Sequence, residues 1–363
     1  MRHLIDILDL STEELQELID TAVDIIDHPE AYAHACEGKK LATLFFEPST
    51  RTRLSFEAAM YELGGHVLSV PAAASSSAAK GESVSDTCQV VSCYADVIAM
   101  RHPLDGAPLV ASFRSGVPII NAGDGGHNHP TQTLADLLTI YREKGRFDNL
   151  TVGFCGDLKY GRTVHSLIAA LARYTGLNLV LISPEELRVP GYVRYNTLEP
   201  NAIPFEETED LESVIGKLDI LYMTRIQKER FEDEATYERL KESYILTAEK
   251  MQLARPDMAV LHPLPRVNEI SVAVDDDPRA CYFKQVLNGK YMRMALMLKL
   301  LKDAEEHPGP EHRFDGLELI GGPVCKTARC ITRVEQELKP LYRLTDRKHN
   351  IYRCAYCEAK RPE

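Results

Sequence analysis

Apolar residues follow two rhythms along this chain: short unbroken runs, and longer stretches in which they recur every third or fourth position. Ser11-Thr12-Glu13-Glu14 forms a capping box ahead of Leu15, Leu18, Ala22 and Ile25, and that spacing predicts an opening amphipathic helix. The runs Leu41–Phe46, Val97–Met100, Pro118–Asn121, Thr151–Phe154, Leu179–Ile182, Leu218–Met223 and Ala259–Leu261 are short and apolar enough for strands. From Arg51, Leu54, Ala58 and Tyr61 keep helical spacing until Gly64-Gly65 stops it. Phe283, Leu287, Tyr291, Met294, Leu298 and Leu301 predict a long helix near the end of the main body. Strands alternating with helices predict an α/β chain with parallel sheets. Glu305 to Arg313, with two prolines, a glycine and several charges, reads as a linker.

A length of 363 residues exceeds what one core usually supports, so two or more domains are expected. A formal charge of −12 without Lys/Arg blocks argues against nucleic acid as a partner, because that binding depends on neutralising phosphates. No apolar run is long enough for a membrane span and no signal-peptide pattern opens the chain, so a cytoplasmic protein is expected. Among nine cysteines, Cys36, Cys88, Cys93, Cys155 and Cys281 are scattered, as buried thiols are in a reducing compartment. Two tight pairs follow in the last forty residues, Cys325-x4-Cys330 and Cys354-x2-Cys357.

The candidate chemistry sits where strands end. Phe46-Glu47-Pro48-Ser49-Thr50-Arg51-Thr52-Arg53 lies at a strand-to-helix junction, where free N–H groups and the helix dipole favour an anion and arginine forks fit phosphate oxygens. A plainer reading leaves Ser49 or Thr50 as a helix cap and the arginines in solvent. His129-Pro130-Thr131-Gln132 follows the glycine-rich turn after the strand ending at Asn121, and it can offer a donor to a carbonyl oxygen and an acceptor to an amide. His127-Asn128-His129 has no thiolate or carboxylate at ligand spacing to make a metal site with it.

Gly156-Asp157-Leu158-Lys159-Tyr160-Gly161-Arg162-Thr163 scans almost as a nucleotide-binding loop, but arginine replaces the phosphate-reaching lysine. What survives is a second anion site at a helix start, suited to a carboxylate. Thr224-Arg225-Ile226-Gln227 and His262-Pro263-Leu264-Pro265-Arg266 follow two further strands. Carbonyls held extended by the prolines can accept from an amine, while Arg266 suits either a ligand or a structural ion pair. The small, polar segment Ala72–Gly81 carries Lys80 and by composition alone is an inert surface loop. Arginines, hydroxyls, a histidine and a glutamine, with no cofactor fingerprint or nucleophile signature, suit positional and electrostatic catalysis without a covalent intermediate or an organic cofactor.

Taken in order, Ser49–Arg53, Met100-Arg101-His102-Pro103, His129–Gln132, Gly156–Thr163 and His262–Arg266 resemble the aspartate/ornithine carbamoyltransferase family over essentially residues 1 to 305. Leu264 after Pro263, with Arg225 and Gln227, is similar to the aspartate-using branch. The resemblance implies two Rossmann-like parallel-sheet α/β domains bridged by helices, and transfer of the carbamoyl group of carbamoyl phosphate to L-aspartate, an early step of pyrimidine biosynthesis. It implies that Ser49, Thr50, Arg51 and Thr52 hold phosphate, while Arg101, His129 and Thr52 polarise the carbonyl oxygen. Gln132 and the backbone at Pro263, Leu264 and Pro265 take the carbamoyl amine, and Arg162, Thr163, Arg225 and Gln227 hold aspartate. In the family the Lys80 loop enters a neighbouring subunit's site, which reverses the inert-loop reading, adds Lys80 and a serine, Ser76 or its neighbour Ser77, to the site and implies a homotrimer with shared sites and room for higher assembly. Asn268 stands where the family has Asp.

Four thiolates at the spacing Cys325-x4-Cys330-x23-Cys354-x2-Cys357 predict a structural zinc, one per chain, in a small β-rich ribbon. Residues 318 to 360 look like the zinc domain of the regulatory chain that accompanies aspartate-using members. The 58 residues after Glu305 leave no room for a nucleotide-binding half, so no nucleotide response by that route is expected, and the ribbon is expected to dock between catalytic subunits. The expected division is 1–134 with 286–305 for carbamoyl phosphate, 135–285 for aspartate, 306–317 as linker and 318–363 as ribbon. A different class of reading, a catalytically silent chain whose ribbon recruits a partner, predicts binding without turnover.

Overall fold

The computed structural model describes residues 1–72, 81–226, 235, 238, 244–309, 313–335, 337–347 and 349–362. Ser76, Lys80 and Gln227 lie outside the described residues. The chain forms two compact units, Met1–Thr131 with Lys290–Glu363, and Gln132–Gly289.

In the first unit, β1 (Lys40–Phe45), β2 (His66–Val70), β3 (Val97–His102) and β4 (Ile119–Asp124) make an all-parallel sheet ordered β2-β1-β3-β4. β1, β3 and β4 are almost wholly buried, which explains their unbroken apolar runs. β2 has no place among the strands expected from sequence, because it is an edge strand with a mostly exposed face pattern. The opening helix spans Thr12–Asp27, with the expected capping box at Ser11 and Glu14 and with Leu15, Leu18, Ala22 and Ile25 buried. The helix Thr50–Glu62 follows β1, and Tyr282–Glu306 is the long helix, ending one residue inside the expected linker.

In the second unit, β5 (Thr151–Cys155), β6 (Asn178–Ile182), β7 (Phe205–Thr208), β8 (Ile220–Met223) and β9 (Ala259–Leu261) form a second all-parallel sheet ordered β7-β6-β5-β8-β9. The acidic edge strand β7, Phe205-Glu206-Glu207-Thr208, carries no apolar run to announce it. β8 begins two residues later than the apolar run suggests, because Leu218 closes the 3-10 turn Ile215–Lys217.

The C-terminal ribbon is three antiparallel strands, β10 (Leu319–Gly321), β11 (Leu341–Asp346) and β12 (Ile351–Cys354), and it belongs to the first unit. Its buried Ile331, Tyr342 and Tyr356 share one core with Met100, Ala107, Val110 and Ile119 of the same chain. Phe314 stacks edge-on against Phe113 at 5.1 Å and against Tyr356 at 5.7 Å. Backbone pairs seal the contact, Asp105 N–H to the Arg329 carbonyl at 2.8 Å and Ile331 N–H to the Asp105 carbonyl at 3.1 Å. Gly106 sits here with φ +87°, and a Cβ on it would stand 2.7 Å from the Tyr356 carbonyl, so glycine is required for the approach.

Candidate functional site

β1 delivers the chain into the helix Thr50–Glu62, whose N-cap residue is Ser49. Ser49 makes no side-chain capping bond. Its hydroxyl instead donates to Thr52 Oγ1 at 3.1 Å, which leaves the first-turn N–H groups for an incoming anion. Thr50 and Arg51 are exposed and Thr52 is buried. Partial desolvation first, and the nearby positive charge of Arg101 second, lower the Arg51 pKa. Arg53 turns elsewhere: it donates to Ser69 Oγ at 3.2 Å and lies 3.9 Å from Glu57.

Arg101 stands near the end of β3 with only 12% of its side chain exposed. Its Nη1 lies 3.5 Å from His129 Nε2 and donates to the Ala122 carbonyl at 3.4 Å, so the structure brings Arg101 and His129 together. Its Nη2 pairs with Glu47 Oε2 at 2.7 Å. Desolvation lowers the Arg101 pKa, and Glu47 opposes that shift. Glu47 carries no assigned role in the sequence reading; its signal was a carboxylate placed inside a motif otherwise built to attract anions.

The turn from β4 to His129 is knitted by buried Asp124. Its Oδ1 accepts from Asn128 N–H at 2.9 Å and from Asn121 at 3.1 Å, and its Oδ2 from Gly106 N–H at 2.8 Å and His127 Nδ1 at 3.0 Å. Asp105 Oδ1 accepts from Gly126 N–H at 2.9 Å. Burial opposes charge on the His127 imidazole, but the Asp124 carboxylate and then Glu358 outweigh it, raising its pKa well above the ordinary value. Glu358 stands 3.5 Å from His127 Nε2.

In the second unit, Gln132 donates to Asp136 Oδ1 at 2.8 Å, while Asp136 Oδ2 accepts from the Tyr222 hydroxyl at 3.0 Å. Arg162 and Thr163 open the helix Arg162–Leu171 after β5 and are partly exposed. Arg225 follows β8, also partly exposed, and His262 to Arg266 follow β9. The carboxyl ends of β5 and β8 thus carry the candidate aspartate residues and that of β9 the candidate carbamoyl-amine acceptors, the position at which open α/β sheets bind ligands. His262 holds the proline turn: its Nδ1 accepts from Leu264 N–H at 2.7 Å and its Nε2 lies 2.7 Å from Glu269. Glu269 also accepts from Val267 and Asn268 N–H at 3.0 and 3.1 Å. Arg266 forms a bidentate ion pair with Asp275 over the Tyr282 ring, the partner that the ion-pair reading of this residue calls for.

Cys325, Cys330, Cys354 and Cys357 are buried, and their Sγ atoms lie within 4.8 Å of one another. The Cys325–Cys357 and Cys330–Cys354 separations are 3.6 and 3.8 Å. A tetrahedral ion with metal–sulfur bonds of about 2.3 Å requires sulfur–sulfur edges of about 3.8 Å, so the donor set fits a metal of that class. No other group of three or more His, Cys, Asp or Glu suited to a metal occurs among the described residues, and none of their helices is long and apolar enough to cross a membrane.

Comparison with known proteins agrees with this geometry. Residues 2–142 match the model of the aspartate/ornithine carbamoyltransferase carbamoyl-P binding domain, and 148–300 that of the Asp/Orn binding domain. Residues 319–363 match the aspartate carbamoyltransferase regulatory chain metal binding domain. The chain is 64% identical over 301 residues to the aspartate carbamoyltransferase catalytic subunit of Lachnoclostridium phytofermentans, covering 83% of this chain and 98% of that one. It is 60% identical over 300 residues to that of Clostridium acetobutylicum, with the same coverage. Among solved structures, the M. jannaschii aspartate transcarbamoylase catalytic subunit superposes with TM-score 0.79 at 49% identity, covering 84% of this chain and 99% of that one. The Trypanosoma cruzi enzyme in complex with N-(phosphonacetyl)-L-aspartic acid gives 0.78 at 38% identity, over 82% and 95%.

Proposed function

Because the chain belongs to the aspartate/ornithine carbamoyltransferase family, we propose how its residues share the transfer of the carbamoyl group from carbamoyl phosphate to the amine of L-aspartate. The reaction gives N-carbamoyl-L-aspartate and phosphate. Ser49, Thr50, Arg51 and Thr52 hold the phosphoryl oxygens at the open helix start. Arg101 and His129, with Thr52, draw charge onto the carbonyl oxygen as it becomes an oxyanion. The observation that carries this is the pair Arg101 Nη1 and His129 Nε2, 3.5 Å apart and fixed by neighbouring turns. Glu47 occupies the Arg101 guanidinium at 2.7 Å and must yield as the carbonyl oxygen arrives.

Gln132 and the carbonyls of Pro263 and Leu264, with Pro265 holding the turn, accept from the carbamoyl amine. Arg162, Thr163, Arg225 and Gln227 hold the two carboxylates of aspartate. Its neutral amine then attacks the carbonyl carbon: the new C–N bond forms, the C–O bond to phosphate breaks, and the departing phosphate takes the amine proton. No covalent enzyme intermediate is required.

The carbamoyl-phosphate domain is 1–134 with 286–305, the aspartate domain 135–285, and the ribbon 318–363 after a linker at 306–317. The four cysteines hold a single structural zinc, which supplies a rigid tetrahedral crosslink. A homotrimer in which Ser76 and Lys80 complete a neighbour's site fits the exposed apolar side chains of the first unit, Leu54 and Tyr61 on the helix Thr50–Glu62 at 51% and 61% and Leu68 on the edge strand β2 at 40%. A reducing cytoplasm suits nine cysteines without a disulfide.

Purified protein given carbamoyl phosphate with equimolar aspartate and ornithine is expected to yield carbamoyl-aspartate alone. Citrulline as the main product would overturn the substrate assignment.

A further inference from the structure

The ribbon grips the segments that carry His129. Asp105 and Gly106 follow β3, and their backbone and Cα approach the ribbon at Arg329, Ile331 and Tyr356. The same two residues hold the turn after β4, through Asp105 Oδ1 to Gly126 N–H and Gly106 N–H to Asp124 Oδ2. A third point of contact is polar: Glu358, next to Cys357, stands 3.5 Å from His127 Nε2, while the opposite ring nitrogen is held by Asp124 at 3.0 Å. Glu358 is itself fixed, by Arg343 on its carboxylate and by Arg353 Nη1 on its carbonyl at 2.9 Å. His127 therefore links a ribbon carboxylate to the hub of the turn, two residues before His129.

We propose that Glu358 is a positioning residue for the carbamoyl-transfer reaction, acting through His127 to hold the turn that sets His129 against Arg101. The ribbon is thereby part of the catalytic apparatus of its own chain, in addition to any docking role. The inference rests on the assignment of His129 to the carbonyl oxygen. Carbonyl polarisation develops in the transition state, so loosening the turn lowers kcat. The phosphate cradle at Ser49–Thr52 is built on a different element and keeps its affinity.

The test is Glu358→Gln in the full chain, with kcat, the inhibition constant of inorganic phosphate, metal content and Tm measured together, and with His127→Gln and the double variant completing a cycle. Glu358→Gln is expected to lower kcat about tenfold, with phosphate inhibition and metal content unchanged and little further loss when His127→Gln is already present. Glu358→Asp is expected to restore part of the rate. The proposal is overturned by an unchanged kcat, by losses that multiply independently in the double variant, or by a rate loss that tracks metal loss or weakened phosphate binding. Should the unmodified protein fail to carbamoylate aspartate, the functional reading fails separately, before any variant is compared.

Discussion

Two arginines two residues apart show how much one turn of helix decides. Arg51 and Arg53 are equivalent in the string Ser-Thr-Arg-Thr-Arg, yet Arg53 is committed to Ser69 and Glu57 while Arg51 stands exposed with its pKa depressed by burial and by Arg101. Arg51→Ala is expected to reduce kcat/KM for carbamoyl phosphate by about 100-fold or more, the scale of losing a charged transition-state contact, with Tm nearly unchanged. Arg53→Ala is expected to cost under about 1 kcal/mol of stability, the scale of an exposed ion pair, and to leave kcat/KM within a few fold. Steady-state kinetics and thermal melts of the two variants check this, and equal kinetic losses would refute the division. Arg51, Arg101 and His129 could be singled out from sequence because their motifs fall where a strand ends, and the structure places Arg101 and His129 side by side. Glu47 on Arg101 and Glu358 near His127 could not be, because each pairing joins residues far apart in sequence and depends on where the chain returns.

Among the elements, the opening helix is the one whose local code is complete. Ser11 Oγ accepts from Glu14 N–H at 3.2 Å and Glu14 accepts from Ser11 N–H at 2.9 Å, while Arg2 pairs with the Glu14 carboxylate. Burial opposes ionisation of Glu14, but hydrogen bonds from Arg2 and Ser11 and the charges of Arg2 and Lys299 outweigh it, lowering its pKa to about 2 from 4.5. A carboxylate depressed in the folded state adds stability above its unfolded value and loses it as pH falls. Glu14→Gln is therefore expected to cost about 1 kcal/mol near neutrality. The difference from the parent should shrink as pH falls from about 4.5 toward 2; a constant difference in denaturant melts across that window would refute it. Buried strands were equally legible, since both faces demand apolar residues. Edge strands β2 and β7 were hidden, because solvent on one side permits His66, Ser69, Glu206 and Glu207.

For the whole molecule, the proposed sharing of sites between subunits makes a prediction that no single chain can satisfy. His129→Ala and Lys80→Ala chains, each inactive alone, are expected to regain activity when unfolded together and refolded as mixed trimers. Random mixing makes about one quarter of sites intact, because each draws His129 from one subunit and Lys80 from its neighbour. No recovery in gel-filtration fractions of trimer mass would refute sharing. The amino-acid sequence by itself determined the α/β class and the parallel sheets, and it singled out the strand ends proposed to hold anions and the four cysteines that cluster. Those depend on periodicity and on residue chemistry at short spacing, which a linear string displays. Only the tertiary structure decided that Arg53 pairs with Glu57 and Arg266 with Asp275, that Glu47 sits on Arg101, and that the ribbon lies against Asp105, Gly106 and His127 of its own chain. The Glu47 and ribbon contacts join residues far apart in sequence, and Arg53 and Arg266 each choose one among several nearby partners, so burial and strand order decide what no linear pattern displays.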